Sequence, residues 1–162
     1  MEKRPESRSR PAVRKKVLMP IIKLKPAYKY TLWGSDRLIR DYHKNADRDY
    51  LSESWEVSVH PSGISMTEEG SLKEILDKHP EYLGKVSRLP ILVKFIDTKD
   101  DLSVQVHPDN EYARLHENDN GKTEAWYVLD AQPGAQIVYG LNGVYTASEL
   151  RKAVEVNSLE DC

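Results

Sequence analysis

Cysteine is almost missing from this sequence: the chain has 162 residues and one cysteine, Cys162, at its last position. That excludes a disulfide framework and a thiol-rich zinc site. It points to a reducing, cytoplasmic setting. Long apolar runs are missing too. No stretch approaches the roughly 18 consecutive apolar residues of a membrane span, and the mean hydropathy is −0.65 with 31% charged residues. Net charge is close to nil, −2 from 24 Lys+Arg and 26 Asp+Glu. That argues against a nucleic acid or a membrane surface as the main partner. No internal repeat is visible. The length suits one domain that can bury its own core.

The small net charge conceals an asymmetry. Residues 1–18 carry seven basic and two acidic residues, a net of +5, and residues 19–162 carry a net of −7. The basic start reads as a disordered extension. Glu2, Glu6 and Pro11 spoil the amphipathic helix of a targeting peptide, and there is no apolar signal region. A nucleic-acid arm would lack aromatic partners nearby. The folded part is expected over 19–162.

From Ile21 the pattern is mostly β. Short strands are expected at Ile21–Leu24, Tyr28–Leu32 and Ser54–His60, the last alternating polar and apolar residues. Pro61-Ser62-Gly63 marks a turn, and Ser35–Tyr50 reads as a polar loop. Ser71 with Glu74 has capping-box spacing for a helix whose apolar stripe is Leu72, Ile75 and Leu76 and which His79-Pro80 ends. Ile91–Asp97 reads as a strand apolar on both faces. Leu102–His107 is another, stopped by Pro108. A helix is expected over Asp109–Glu117, with Tyr112 and Leu115 on one side. Strands follow at Ala125–Asp130 and Ala135–Gly140 around a Gln132-Pro133-Gly134 turn. A last helix starts at Thr146 or Ser148. Short strands with Pro/Gly turns predict a mainly β sandwich or barrel of the jelly-roll kind with short inserted helices.

The chemistry-bearing stretch is Leu92–Glu124. Alternation along Leu102–His107 puts Ser103, Gln105 and His107 on one face. That face is either the solvent side of a sheet or a site. Pro108 cannot extend a ladder, so His107 lies at a strand end. Glu124 opens the next apolar strand, as a ligand set by rigid backbone or as an edge residue. An imidazole nitrogen, a carboxylate and an amide carbonyl form a mixed N/O set that suits Zn²⁺ or another divalent first-row metal. Lys94 interrupts an apolar strand. It either snorkels to water or aims a cation into a pocket that could receive a phosphate. Lys122, on a glycine-led loop, has the same two readings.

In order along the chain come Trp33-Gly34, Glu53-Ser54-Trp55-Glu56-Val57-Ser58, Leu89-Pro90-Ile91-Leu92-Val93-Lys94, Leu102-Ser103-Val104-Gln105-Val106-His107-Pro108 and Gly121-Lys122-Thr123-Glu124-Ala125-Trp126-Tyr127. Together these resemble the N-terminal part of type I mannose-6-phosphate isomerases, zinc-dependent members of the cupin superfamily that interconvert mannose 6-phosphate and fructose 6-phosphate. The resemblance implies Gln105, His107 and Glu124 as zinc ligands and Ser103 and Lys94 as phosphate contacts. It puts Lys122 beside the reacting end of a sugar phosphate and has Trp33 shape the pocket. It also implies a further ligand histidine on a later strand and a catalytic arginine, which the 162 residues do not match. His43, His60, His79 and His116 read as surface or structural. The expectation is therefore the first, truncated part of such an isomerase. The rival, from another class, is a non-catalytic cupin-like sugar-binding module or an inactive fragment.

Overall fold

The computed structural model describes residues 20–162. The expected disordered extension over 1–18 lies outside the described residues. The chain divides after Leu102 into two compact units.

In the first unit an antiparallel sheet is built from β1 (Ala27–Lys29), β2 (Glu53–Val57) and β5 (Val93–Ile96), with β2 central. Ala27 pairs with Trp55 and Lys29 with Glu53 on one side of β2. On the other, Trp55 pairs with Lys94 and Glu53 with Ile96. Residues directly paired share a face. Lys29, Glu53, Trp55 and Lys94 therefore stand on one face, and Tyr28, Ser54 and Phe95 on the other. The register slips between Trp55 and Val57, a bulge that leaves one residue outside the ladder. Ser65 serves this irregularity. Its hydroxyl lies 3.1 Å from the Trp55 carbonyl oxygen and 3.2 Å from that of Glu56.

The serines of β2 and its flanks are the buried side of the alternation. Ser52, Ser54, Ser58 and Ser65 are all 0% exposed, and each hydroxyl has a partner, such as the Lys29 carbonyl at 2.6 Å from Ser52 Oγ and Glu56 Oε1 at 2.5 Å from Ser54 Oγ. Small side chains let the backbones approach closely, and buried hydroxyls are tolerated because they are satisfied. Gly34 shows the same closeness: a Cβ there would lie 2.7 Å from the Ser52 nitrogen.

The apolar core of this unit is modest, with Leu38, Leu51, Leu72, Ile75 and Leu76 buried. α2 (Leu72–Lys78) has the expected capping box, with Ser71 accepting from the Glu74 amide and Glu74 accepting from the Ser71 amide. Its stripe faces inward as the spacing predicts, and His79 closes it. The ribbon of β3 (Met66–Thr67) and β4 (Gly70–Ser71) precedes it. Three departures from expectation stand out. Ile21–Leu24 is not a strand: pairing starts with an isolated bridge between Lys25 and Met66, and β1 follows beyond Pro26. β5 is shorter than Ile91–Asp97. The polar loop contains a helical turn, α1 (Arg37–Arg40), whose Arg37 and Leu38 amides donate to Asp97 Oδ2 at 2.8 and 3.4 Å. A cap delivered from some sixty residues away leaves no local signal.

The second unit holds α3 (Asn110–His116) and α4 (Ala147–Glu155). Asp109 caps α3 through the Tyr112 amide at 2.8 Å. Thr146 and Glu149 form a capping box on α4. The turn at Gln132-Pro133-Gly134 is present, with the Ala135 amide bonded to the Gln132 carbonyl at 3.0 Å. The strands expected at Leu102–His107, Ala125–Asp130 and Ala135–Gly140 do not form: among the described residues these segments carry no ladder. Val106 (94% exposed) and Tyr139 (95%) show how little covers them. On α3 the buried residue is Ala113, while Tyr112 and Leu115 face outward. Among the described residues no helix is long and apolar enough to cross a membrane.

Candidate functional site

In the second unit the loop after α3 folds back onto the start of that helix. Gly121 makes this possible. A Cβ there would lie 2.3 Å from the Asp109 carbonyl carbon and 2.5 Å from the Asn110 nitrogen, so only glycine fits the approach. The Gly121 amide is 3.1 Å from Asn110 Oδ1, and the Lys122 amide is 3.1 Å from the Pro108 carbonyl oxygen. These bonds set the Gly121–Glu124 segment beside the His107-Pro108 segment.

The side chains meet accordingly. His107 Nε2 lies 2.9 Å from Glu124 Oε2, and Lys122 Nζ lies 2.7 Å from Glu124 Oε1. The imidazole and the carboxylate are both about a quarter exposed. Partial burial pushes the Glu124 carboxyl up. The hydrogen bond and charge of Lys122, with hydrogen bonds from His107 and Trp126, outweigh it, so the group lies below its ordinary value. Glu124 is thus held as an anion whose two oxygens face a cation and an imidazole.

Gln105 Nε2 donates to Ser103 Oγ at 2.9 Å. This contact between residues two apart puts both on one side of the chain, as alternation requires. That bond leaves the amide oxygen as an acceptor. Among the described residues no three His, Cys, Asp or Glu come together as a metal-binding group. Of the three expected donors, His107 and Glu124 are in contact, while Gln105 contacts Ser103.

Lys94 and Trp33 belong to the first unit. Lys94 Nζ is 3.0 Å from Glu53 Oε1, with 23% of the lysine side chain exposed. Neither simple reading of this lysine covers that pairing. Glu53 Oε2 in turn accepts from Trp55 Nε1 at 2.5 Å. Sequence reasoning gave Glu53 and Trp55 no role. The signal available was their spacing of two along a strand. Trp33 sits in the turn that the Gly34 amide closes onto the Thr31 carbonyl at 2.9 Å, and its own carbonyl takes the Lys99 amide at 2.9 Å.

Three of the other histidines have structural partners. The His60 ring meets Trp55 edge-on at 5.8 Å, His79 stacks on Tyr82 at 4.9 Å, and His116 lies 4.2 Å from Tyr112. His43 lies in the left-handed backbone region, with φ of 54°.

Comparison with known proteins identifies the family. Residues 21–133 match the family model "Phosphomannose isomerase type I, catalytic domain". A mannose-6-phosphate isomerase of Streptococcus mutans serotype c is 41% identical over 130 residues, 76% of this chain and 41% of that protein. Mannose-6-phosphate isomerase ManA of Bacillus subtilis strain 168 is 38% identical over 139 residues, 81% of this chain and 44% of the relative. The crystal structure of the mannose 6-phosphate isomerase from Bacillus subtilis superposes with a TM-score of 0.79 at 34% identity, covering 86% of this chain and 46% of that one. The chain thus spans less than half the length of these relatives. Over that length the fold is the same, and the motif-bearing residues 33 to 124 all lie inside the matched range: the chain belongs to the type I phosphomannose isomerase family.

Proposed function

We propose that this chain carries the metal- and phosphate-binding part of a zinc-dependent aldose–ketose isomerase that interconverts mannose 6-phosphate and fructose 6-phosphate. The observation that carries the reading is the His107–Glu124–Lys122 cluster, formed by the two most specific family motifs and held by a glycine that nothing larger could replace. The proposed architecture is a cupin jelly roll, to which the small sheet and the unpaired apolar segments would contribute.

His107, Glu124 and the Gln105 carbonyl would hold the Zn²⁺. The bound ion would supply Lewis-acid polarisation of the sugar's oxygens. Ser103 and Lys94 would hold the phosphate, using binding energy remote from the reacting carbons to orient them. Trp33 would wall the sugar. The reaction would run through ring opening, loss of the C2 proton to a cis-enediol and return of the proton at C1. Lys122 has three N–H donors and Glu124 takes one, so the others can donate to the sugar oxygens where negative charge develops. Glu124 would remain an anion, because the Lys122 ammonium lies beside it.

The test is metal content measured beside a coupled mannose 6-phosphate assay on the purified 162-residue chain. The expected result is bound zinc and chelator-sensitive turnover, both lost in His107→Ala. A folded chain that binds no zinc would overturn the reading. The rival, a non-catalytic sugar-phosphate-binding module, predicts zinc-independent binding of the sugar phosphate with no turnover.

A further inference from the structure

On the sheet face of the first unit, Lys94 is held by a chain of contacts. Register places Lys94 opposite Trp55, with Glu53 two residues along β2. Glu53 uses its two oxygens differently. Oε2 accepts from the Trp55 indole at 2.5 Å, and Oε1 faces Lys94 Nζ at 3.0 Å. The indole is itself fixed. The Lys29 ammonium lies 4.5 Å from its ring centroid, His60 packs edge-on at 5.8 Å, and a Cβ at Gly63 would stand 2.9 Å from its Cε3 atom. The Glu53 side chain is 15% exposed. A packed ring therefore orients a carboxylate, and the carboxylate orients a lysine.

We propose that Glu53 is a positioning residue for phosphate binding: it anchors one donor of the Lys94 ammonium and leaves the remaining donors for a phosphate oxygen. The proposal rests on the phosphate reading of Lys94. Lysine is a point charge on a flexible four-carbon stem. Ordering that stem costs affinity unless it is ordered before the ligand arrives, and here the Trp55–Glu53 contact does so. A plain cross-strand ion pair would need no indole to fix its carboxylate. A carboxylate this close also repels phosphate, so the proposal requires positioning to outweigh repulsion.

The experiment is titration of the full chain with inorganic phosphate, followed by ³¹P NMR, for wild type, Lys94→Met, Glu53→Gln and the double variant. Lys94→Met is expected to weaken binding about tenfold and Glu53→Gln about fivefold, with the double variant no weaker than Lys94→Met alone. That coupling separates positioning from general support of the sheet, which would weaken the double variant further. Binding unchanged or tightened in Glu53→Gln, or an equal loss in both backgrounds, overturns the proposal and leaves the Lys94 reading intact. Wild type that binds no phosphate, or Lys94→Met that loses nothing, overturns the Lys94 reading and this proposal with it. Should Glu53→Gln fail to fold, Glu53→Asp keeps the charge but withdraws it by one methylene, and the same weakening and the same coupling are expected.

Discussion

Gly121 decides more at the candidate site than any of the charged groups around it. Its missing Cβ lets the loop lie against the Asp109-Asn110 backbone, and neither backbone can yield as a flexible side chain would. Gly121→Ala is therefore expected to destabilise the second unit by about 1–3 kcal/mol, the usual cost of forcing atoms into filled space. Loss of His107–Glu124 proximity should accompany it, and the amide shifts of residues 107–124 read both. Glu124 gives a pH prediction. Its carboxyl lies below the ordinary value in the fold, so the native contacts contribute stability above the unfolded value, and this is lost as pH falls through the lowered one. Stability of the His107–Glu124 segment should fall on acidification in the wild type and much less in Glu124→Gln, as urea titrations at two pH values would show. The cluster was legible at this scale because residue type carries the chemistry: His107, Glu124 and Lys122 are all in motifs, and His107 and Lys122 both contact Glu124. Glu53 was not legible as Lys94's partner, because a register of pairing, not a motif, brings them together.

Helices were the most legible elements, since their start signals are local. Ser71 with Glu74 forms the box its spacing predicts, and Thr146, one of the two expected starts of the last helix, forms a box with Glu149. Hydrogen bonds to the cap backbone and then the cap side chain hold Glu74 and Glu149 below the ordinary carboxylate value. Each cap is complete above that range and loses its acidic half as pH falls through the lowered value. Ser71→Ala and Thr146→Ala are each expected to cost about 1 kcal/mol of helix stability. Amide exchange at the first turn of α2 and α4 measures this, and α3, whose cap at Asp109 has no such box, serves as the internal reference. Strands were less legible. The alternation of Ser54–His60 was correctly periodic, but periodicity does not say which side is inside. Here the serines are buried, because their hydroxyls are satisfied by nearby backbone groups or, for Ser54, by the Glu56 carboxylate. No local signal marks α1, because Asp97, distant in sequence, caps it.

At the scale of the whole molecule, alternating apolar sequence behaves differently in the two units. In the first, β2 has a neighbour on each side and its alternation becomes a sheet. In the second, the same kind of pattern at Leu102–His107, Ala125–Asp130 and Ala135–Gly140 meets no strand among the described residues. Period-two patterning states that a segment can be half-buried in a sheet. It does not state where the rest of the sheet comes from, and backbone pairing is a property of two segments, not one. The matched range ends at residue 133, and the chain spans 44% of ManA's length. The expectation of a jelly roll was therefore read from patterning that the described residues alone do not pair. Unpaired N–H groups on an apolar ribbon carry a measurable signature, because exchange protection follows hydrogen bonding and burial. In native-state hydrogen exchange the amides of Ser54, Trp55, Phe95 and Asp97 should be protected. Those of 126–129 and 136–139 should exchange at close to unfolded-chain rates, and the exposed Tyr127, Val138 and Tyr139 should bind a hydrophobic dye. Strong protection across 126–139 in the isolated chain would mean that these segments find strand partners in solution, by pairing with one another or with a second copy. Concentration dependence of that protection would separate the two.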